Sequence, residues 1–230
     1  SRCKKVISRK CYQLMTSNAL IIKDLLRHST VLAIASMKAR YRKTFAGLIW
    51  VILNPLIMFG AQSIAFKKFL KLDIDNYYLF LLSNLLPWIF LINNLVMNVG
   101  VFEEKSNILK SFQINPMVFV ISQVFDNLIN FLIAFFILLV PMLFFFDISL
   151  LGLSFLGPAL LLMFSGSLAM CLLVATVQVF YKDVKFVIQF ITGVIFFLTP
   201  IFYPIEFVPE HLRVLVDYNI FYILIVLILK

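Results

Sequence analysis

Lys38, Arg40, Arg42 and Lys43 crowd into six positions, directly ahead of an apolar run that continues to Phe66. Ammonium and guanidinium groups do not cheaply enter hydrocarbon. Such a cluster therefore fixes its end of a membrane span on the cytoplasmic side. Asp126 is the one acidic residue well inside an apolar run, and Asn127 and Asn130 lie beside it. A carboxylate at that depth is a functional candidate. The alternative is structural, with Asp126 reaching the head-group region or closing a helix contact. No other arrangement supports catalysis. His28 and His211 are predicted on opposite sides of the membrane and cannot share a metal. The chain has no HExxH, no GxSxG and no paired-carboxylate site with a partner, so no catalytic and no metal-binding residue is assigned. Cys3, Cys11 and Cys171 have neither metal spacing nor a disulfide framework and read as reduced thiols. There is no GxxxxGK[ST] phosphate loop, so any ATP that drives this chain is bound by another polypeptide.

The elements that carry these residues are membrane helices. The chain is 63% hydrophobic and 13% charged, with a mean hydropathy of +1.03. A soluble domain is nearer 25% charged. A bilayer core of about 30 Å needs about 20 helical residues. Candidate spans are Gly47–Phe66, Tyr77–Val101, Val118–Phe146, Leu150–Phe180 and Phe186–Tyr203, with a shorter run at Ile220–Leu229. The reading is all-α, with a cytoplasmic arm and interface helix at 1–46 and a transmembrane domain at 47–230. If the N-terminus is inside, 16 of the 20 Lys and Arg fall on the inner side. The net charge of +9 therefore reflects membrane topology, with attraction to lipid head groups, and not nucleic-acid binding. Residues 1–19 lack the pattern of a cleavable signal, and the sequence begins without Met.

Local signals refine the picture. Pro55, Pro87, Pro141 and Pro158 fall inside apolar runs and can kink them. Pro200 and Pro204, in Thr199-Pro-Ile-Phe-Tyr-Pro204, should stop a straight helix at the outer end of the fifth span. Ile205–Tyr218 then reads as a short amphipathic helix around Pro209–Leu215, lying at the outer interface or dipping back into it. Leu20–Lys43 reads as an amphipathic surface helix, with Ile21, Leu25, Leu32 and Ala35 near one face and Lys23, Arg27, Lys38 and Arg42 on a basic side. It either anchors to lipid or flanks the cytoplasmic mouth of a pathway.

Taken in order, three stretches resemble the membrane subunit of ABC-2-type exporters, in particular the permeases that export O-antigen and teichoic acid polysaccharides. Lys38–Leu56 is similar to the family's RYR-x-[ST]-x-x-G-x-x-W-x-x-x-x-P approach to the first span. Asn107-Ile-Leu-Lys110 with Asn115-Pro116 resembles the cytoplasmic coupling segment, although Ser111 stands where a second basic residue is common. Tyr181-Lys-Asp-Val184 leading to Thr199–Pro204 looks like the Y-[RK]-D-[VI] loop, fifth span and TPI-x-YP turn. The chain departs from the pattern at Asn219-Ile220, where Asn-Pro is usual, and its sixth span is short, as if truncated.

The resemblance implies a six-span, type V exporter-like permease in the bacterial inner membrane, with its N-terminus cytoplasmic. It implies a homodimer docked to P-loop ATPase subunits that carry ATP and Mg, with no cofactor in this chain. The implied cargo is a polyprenyl-diphosphate-linked glycan. Glu103, Glu104, Asn107, Ile108, Leu109 and Lys110 would couple to the ATPase, on a coupling helix at Glu103–Phe112. Arg40, Tyr41, Arg42 and Lys43 would meet the diphosphate, which arginine suits through its planar fork of donors; the other reading of these cations is an anchor. Trp50, Phe59, Phe196, Phe197 and Tyr203 would line a path over which sugars stack, or would serve as core and lipid-facing aromatics. Pro200, Pro204, Glu206 and Pro209 would form the outer gate. An exporter of drugs or other small hydrophobic molecules would share the fold. A membrane enzyme would need an ionisable cluster that is not seen. A non-transport scaffold would leave the coupling segment without a purpose.

Overall fold

In the computed structural model the described residues are 23–39, 57, 77–111, 114–145 and 150–229. The expected first span, 47–66, lies outside them save for Ile57, as do Arg40, Tyr41, Arg42, Lys43, Trp50 and Phe59. The described residues are helical, with turns between and no strand. Helix α1 covers residues 23–39. Helices α2 (Tyr77–Asn98), α3 (Val101–Glu104), α4 (Ser106–Ser111), α5 (Met117–Phe145), α6 (Leu150–Phe180) and α7 (Val184–Leu198) follow. A 3-10 turn at Ile205–Phe207 leads to α8 (Glu210–Asp217) and α9 (Ile220–Leu229).

Sequence chemistry sets the boundaries. Pro116 opens α5, where a missing N–H costs nothing, and the Asn115 side-chain oxygen accepts the Met117 N–H at 3.0 Å. Asn219 does the same for α9, accepting the Phe221 N–H at 3.0 Å. Pro87 and Pro158 lie inside α2 and α6, which run on through them. With a rise of about 1.5 Å per residue, α5 and α6 reach about 44 and 46 Å and α2 about 33 Å, all beyond a hydrocarbon core of about 30 Å. Met117–Ile137 and Phe155–Phe180 are apolar enough, as well as long enough, to cross a membrane.

Three expectations change. The fifth span was expected to run from Phe186 to Tyr203, but α7 is Val184–Leu198 and ends there. Thr199 is extended, at φ −86° and ψ 128°, because the ring of Pro200 excludes the helical conformation from the residue before it. The coupling segment, expected as one helix over Glu103–Phe112, is two short helices that break at Lys105 (φ −96°, ψ 10°). Val101 lies in the core while Ile108 and Lys110 are exposed. In α1 the buried residues are Ser29 and Ala33, with Leu25 and Leu32 half-buried, and Ala35 is exposed. The inward face is set by the contact at Ser29, whose hydroxyl meets the Val118 carbonyl at 3.4 Å.

Helix α2 packs against α5, α6, α7 and α9, and α6 packs against α2, α5, α7 and α9. Leu81, Leu85, Leu91, Met163, Ile201 and Ile225 are the largest side chains fully buried among them. At Gly166 of α6, a Cβ would stand 3.1 Å from a Leu224 methyl of α9. Glycine thus lets these two helices approach closely, as small residues do in membrane bundles.

Candidate functional site

The expected coupling residues gather at one end of the bundle. Glu103 and Glu104 close α3, and Asn107, Ile108, Leu109 and Lys110 sit on α4. Leu109 packs against the core. Asn107, Ile108 and Lys110 are exposed. Glu103 is tied into the bundle. The amide of Gln178, buried near the end of α6, donates to a Glu103 carboxylate oxygen at 3.3 Å. The Lys182 ammonium, in the turn that joins α6 to α7, lies 3.8 Å from the other oxygen. One turn earlier in the chain, a Cβ at Gly100 would have Glu104 Oε1 at 3.5 Å and Lys185 Nζ at 3.8 Å. Two stretches far apart in sequence, 103–110 and 181–185, therefore meet, acid against base. The exposed ion pair is worth under about 1 kcal/mol. The buried amide gives the contact its fixed geometry.

Asp126 is 2% exposed, inside the bundle, on a helix that packs against α2 and α6. Its neighbour Asn127 donates to Asn94 Oδ1 at 2.8 Å, and Asn94 donates to Ser167 Oγ at 2.9 Å. Three helices, α5, α2 and α6, are thereby joined by side-chain hydrogen bonds in the core. Asn98 is fully buried one turn beyond Asn94, and its amide donates to the Asn94 carbonyl at 2.8 Å. The Asn127 amide also contacts the Met97 sulfur at 3.6 Å. The Asn94 and Ser167 partners went unread in the sequence. Asn94 and Asn98 share a helix face at i and i+4 inside an apolar run, and that spacing was the available signal.

The expected path aromatics separate. The Phe196 ring lies 5.6 Å from Trp88, 5.4 Å from Phe197 and 5.0 Å from Phe202, and Trp88 also meets Phe221 at 5.6 Å. Phe196 is thus committed to the contact between α7, α2, α9 and the 199–204 turn. Phe197 is 72% exposed. Phe186 and Phe190, at 71% and 74%, share its stripe, since positions i, i+4 and i+11 fall on one helical face. The sequence reading missed those two. Tyr203 is half-buried, and its hydroxyl donates to the Phe197 carbonyl at 3.4 Å.

The expected outer gate is graded in burial: Pro200 is buried, Pro204 half-buried and Pro209 exposed. Glu206 lies in the 3-10 turn. Asn219 donates to the Thr199 hydroxyl at 2.8 Å, fastening the start of this turn to the start of α9. Among the described residues no group of three or more His, Cys, Asp or Glu could hold a metal ion.

A family model described as ABC-2 type transporter matches residues 28–230. Over 175 residues the chain is 24% identical to the O-antigen export system permease protein RfbA of Myxococcus xanthus, a stretch covering 76% of this chain and 67% of that protein. Two Klebsiella pneumoniae proteins of the same name are 24% and 23% identical over 188 residues, covering 80% of this chain and 71% of each.

Proposed function

The chain belongs to the ABC-2 type transporter family, and we propose that it is the membrane permease of an ATP-driven exporter for a lipid-linked polysaccharide of the O-antigen kind. One observation carries the reading: the family match runs over residues 28–230, and the relatives that align with most of the chain are O-antigen export permeases. The permease is not itself an enzyme. ATP and Mg belong to a separate P-loop subunit, and two copies of the permease form the pathway in the bacterial inner membrane with their N-termini cytoplasmic.

Within that reading, α3 and α4 receive the ATPase. Asn107 and Lys110 are exposed for contact, while Leu109 holds α4 to the bundle. Motion imposed on α4 passes through Glu103 to Gln178 and Lys182, and so to the base of α7. Arg40, Tyr41, Arg42 and Lys43 meet the diphosphate of the cargo. Phe186, Phe190 and Phe197 offer ring faces on which sugars stack, while Phe196 holds α7 in place. Pro204, Glu206 and Pro209 lie on the outer segment past which the glycan leaves.

The test is a detergent pull-down of the tagged full-length chain from its native host. A stoichiometric P-loop ATPase should accompany it and be lost when Leu109 and Lys110 are changed. Deleting the gene should leave lipid-linked glycan on the cytoplasmic side. A well-folded permease that repeatedly brings down no ATPase, in cells whose glycan export is intact without it, would overturn the proposal.

A further inference from the structure

A groove of about 660 Å³ runs between α1 on one side and α4 and the start of α5 on the other. That volume falls within the usual range for small-ligand sites. Its apolar wall includes Ile108, Val118 and Phe119, and its polar groups include Asp24, Arg27, His28 and Asn115. Val118 and Phe119 are the first residues of a helix long and apolar enough to cross a membrane. The groove therefore lies at one end of a helix fit to cross a membrane. Helix α1 has the makeup of a helix lying in that zone. Bulky Val31 and Ile34, 63% and 50% exposed, are interleaved on one face with Lys23, Arg27 and Lys38.

The polar groups discriminate among occupants. A guanidinium, an imidazole and an amide meet a phosphate through charge-assisted and neutral hydrogen bonds. The Asn115 side-chain oxygen is already used by the Met117 N–H, which leaves its amide nitrogen as a donor. Asp24 is the discordant member: a carboxylate in the lining repels a purely anionic head group. A head group carrying phosphate and ammonium together satisfies both signs, with the apolar wall taking the upper part of an acyl chain. We infer that this groove is a binding site for an aminophospholipid of the surrounding bilayer, its phosphate on Arg27, His28 and Asn115 and its ammonium on Asp24. The site wedges lipid between α1 and the segment that leads from α4 into α5. The inference rests on the membrane character of the chain alone and stands apart from the identity of the exported cargo.

The experiment reconstitutes the full chain in nanodiscs containing phosphatidylethanolamine or phosphatidylglycerol with a photoreactive acyl chain, then maps crosslinks by mass spectrometry. Phosphatidylethanolamine should label peptides spanning 24–32 and 108–119. Asp24→Asn should weaken that labelling about three- to five-fold, as expected for an exposed charge contact, without lowering phosphatidylglycerol labelling. Arg27→Gln should weaken both. Ile108→Trp, which fills the groove, should abolish labelling there while the chain elutes unchanged on size exclusion. Labelling confined to other surfaces, or insensitive to Asp24→Asn, would overturn the inference. So would labelling that disappears when the ATPase subunit is added, which would give the groove to the partner protein. Displacement by lipid-linked glycan but not by unlabelled phosphatidylethanolamine would give it to the cargo, and would overturn it equally.

Discussion

Asn94 is the residue whose loss should cost the core most for its size. Its side chain donates to Ser167 at 2.9 Å and accepts from Asn127 at 2.8 Å, so it links α2 by hydrogen bonds to both α6 and α5. In membrane bundles an interhelical hydrogen bond contributes about 0.6 kcal/mol on average and up to about 1.7 kcal/mol. Asn94→Ala breaks two and leaves an amide and a hydroxyl in the core without these partners, so about 1 to 3 kcal/mol should be lost. Ser167→Ala breaks one and should cost about 0.6 kcal/mol. Asn127→Ala should fall between, since it loses one strong bond and the weak contact to the Met97 sulfur at 3.6 Å. Replacing all three together, Asn94→Leu with Asn127→Leu and Ser167→Ala, should recover much of the loss, because no buried donor is then stranded. The assay is unfolding of the purified protein in mixed micelles of rising sodium dodecyl sulfate fraction, followed by helical circular dichroism. Three equal single losses that add in the double variants would refute the argument, since bonds that share Asn94 must show coupling.

Four further outcomes follow from the same contacts. Lys182→Glu should leave stability within about 1 kcal/mol, and Glu103→Lys should cost about 1–3 kcal/mol because the buried Gln178 amide loses its acceptor; both should retain the ATPase yet lower export in a complementation assay, and the charge swap in one chain should restore it. Phe196→Ala should destabilise by about 2 kcal/mol because its ring is half-buried against Trp88 and Phe202, whereas Phe190→Ala with Phe197→Ala should keep the unfolding midpoint and reduce glycan export. Gly166→Ala should be close to neutral, since a helix propensity gain of about 1 kcal/mol offsets a contact of 3.1 Å with a flexible Leu224 methyl; Gly166→Val should cost about 1–3 kcal/mol through overpacking, read in the same unfolding assay. Asn219→Ala removes both the cap of α9 and the bond to Thr199, and should cost about 1–2 kcal/mol while raising proteolysis of the 199–219 segment.

The helices were legible because a span leaves a long apolar run between polar turns. Leu150–Phe180 and Ile220–Leu229 coincide with the expected bounds, and Tyr77 and Asn98 bracket the second span within a few residues of expectation. Where a helix ends depends on one local contact: Pro200 and Pro204 were read as stopping the helix, which does end at Leu198, but the span was drawn on to Tyr203. Helix faces were harder. Composition placed aromatics on α7 but could not say that Phe196 turns inward while Phe197 turns out, because α7 is apolar on both sides. Tertiary pairings were not legible at all. Asn94 with Ser167 and Glu103 with Lys182 lie 73 and 79 positions apart, and nothing in either local pattern names the partner. The lipid groove needed both walls and was invisible to any linear reading.

Helix α7 poses a problem that its own surroundings solve. Its 15 residues reach about 22 Å, less than a bilayer core of about 30 Å. The chain must therefore leave the helix while still at membrane depth, where unmet backbone groups are costly unless they are buried in protein or lie along water. Burial in protein accounts for the first part of the turn. The Thr199 N–H donates to the Ile195 carbonyl at 2.8 Å and the Ile201 N–H to the Thr199 carbonyl at 2.7 Å. Ile201 and Phe202 are buried, and Asn219 clasps Thr199. This corner is a fixed joint, held from α2 through Trp88 and Phe196. Only beyond it, from Phe207 and Pro209 onward, does the segment become exposed. Val208 is itself buried and its carbonyl accepts from Arg213 Nε at 3.1 Å, so a rearrangement on the outer side breaks fewer contacts at Pro209–His211, which are exposed, than at Thr199–Pro200. Were this segment the outer gate, Pro200 would belong to its anchored part and Pro209 to its moving part.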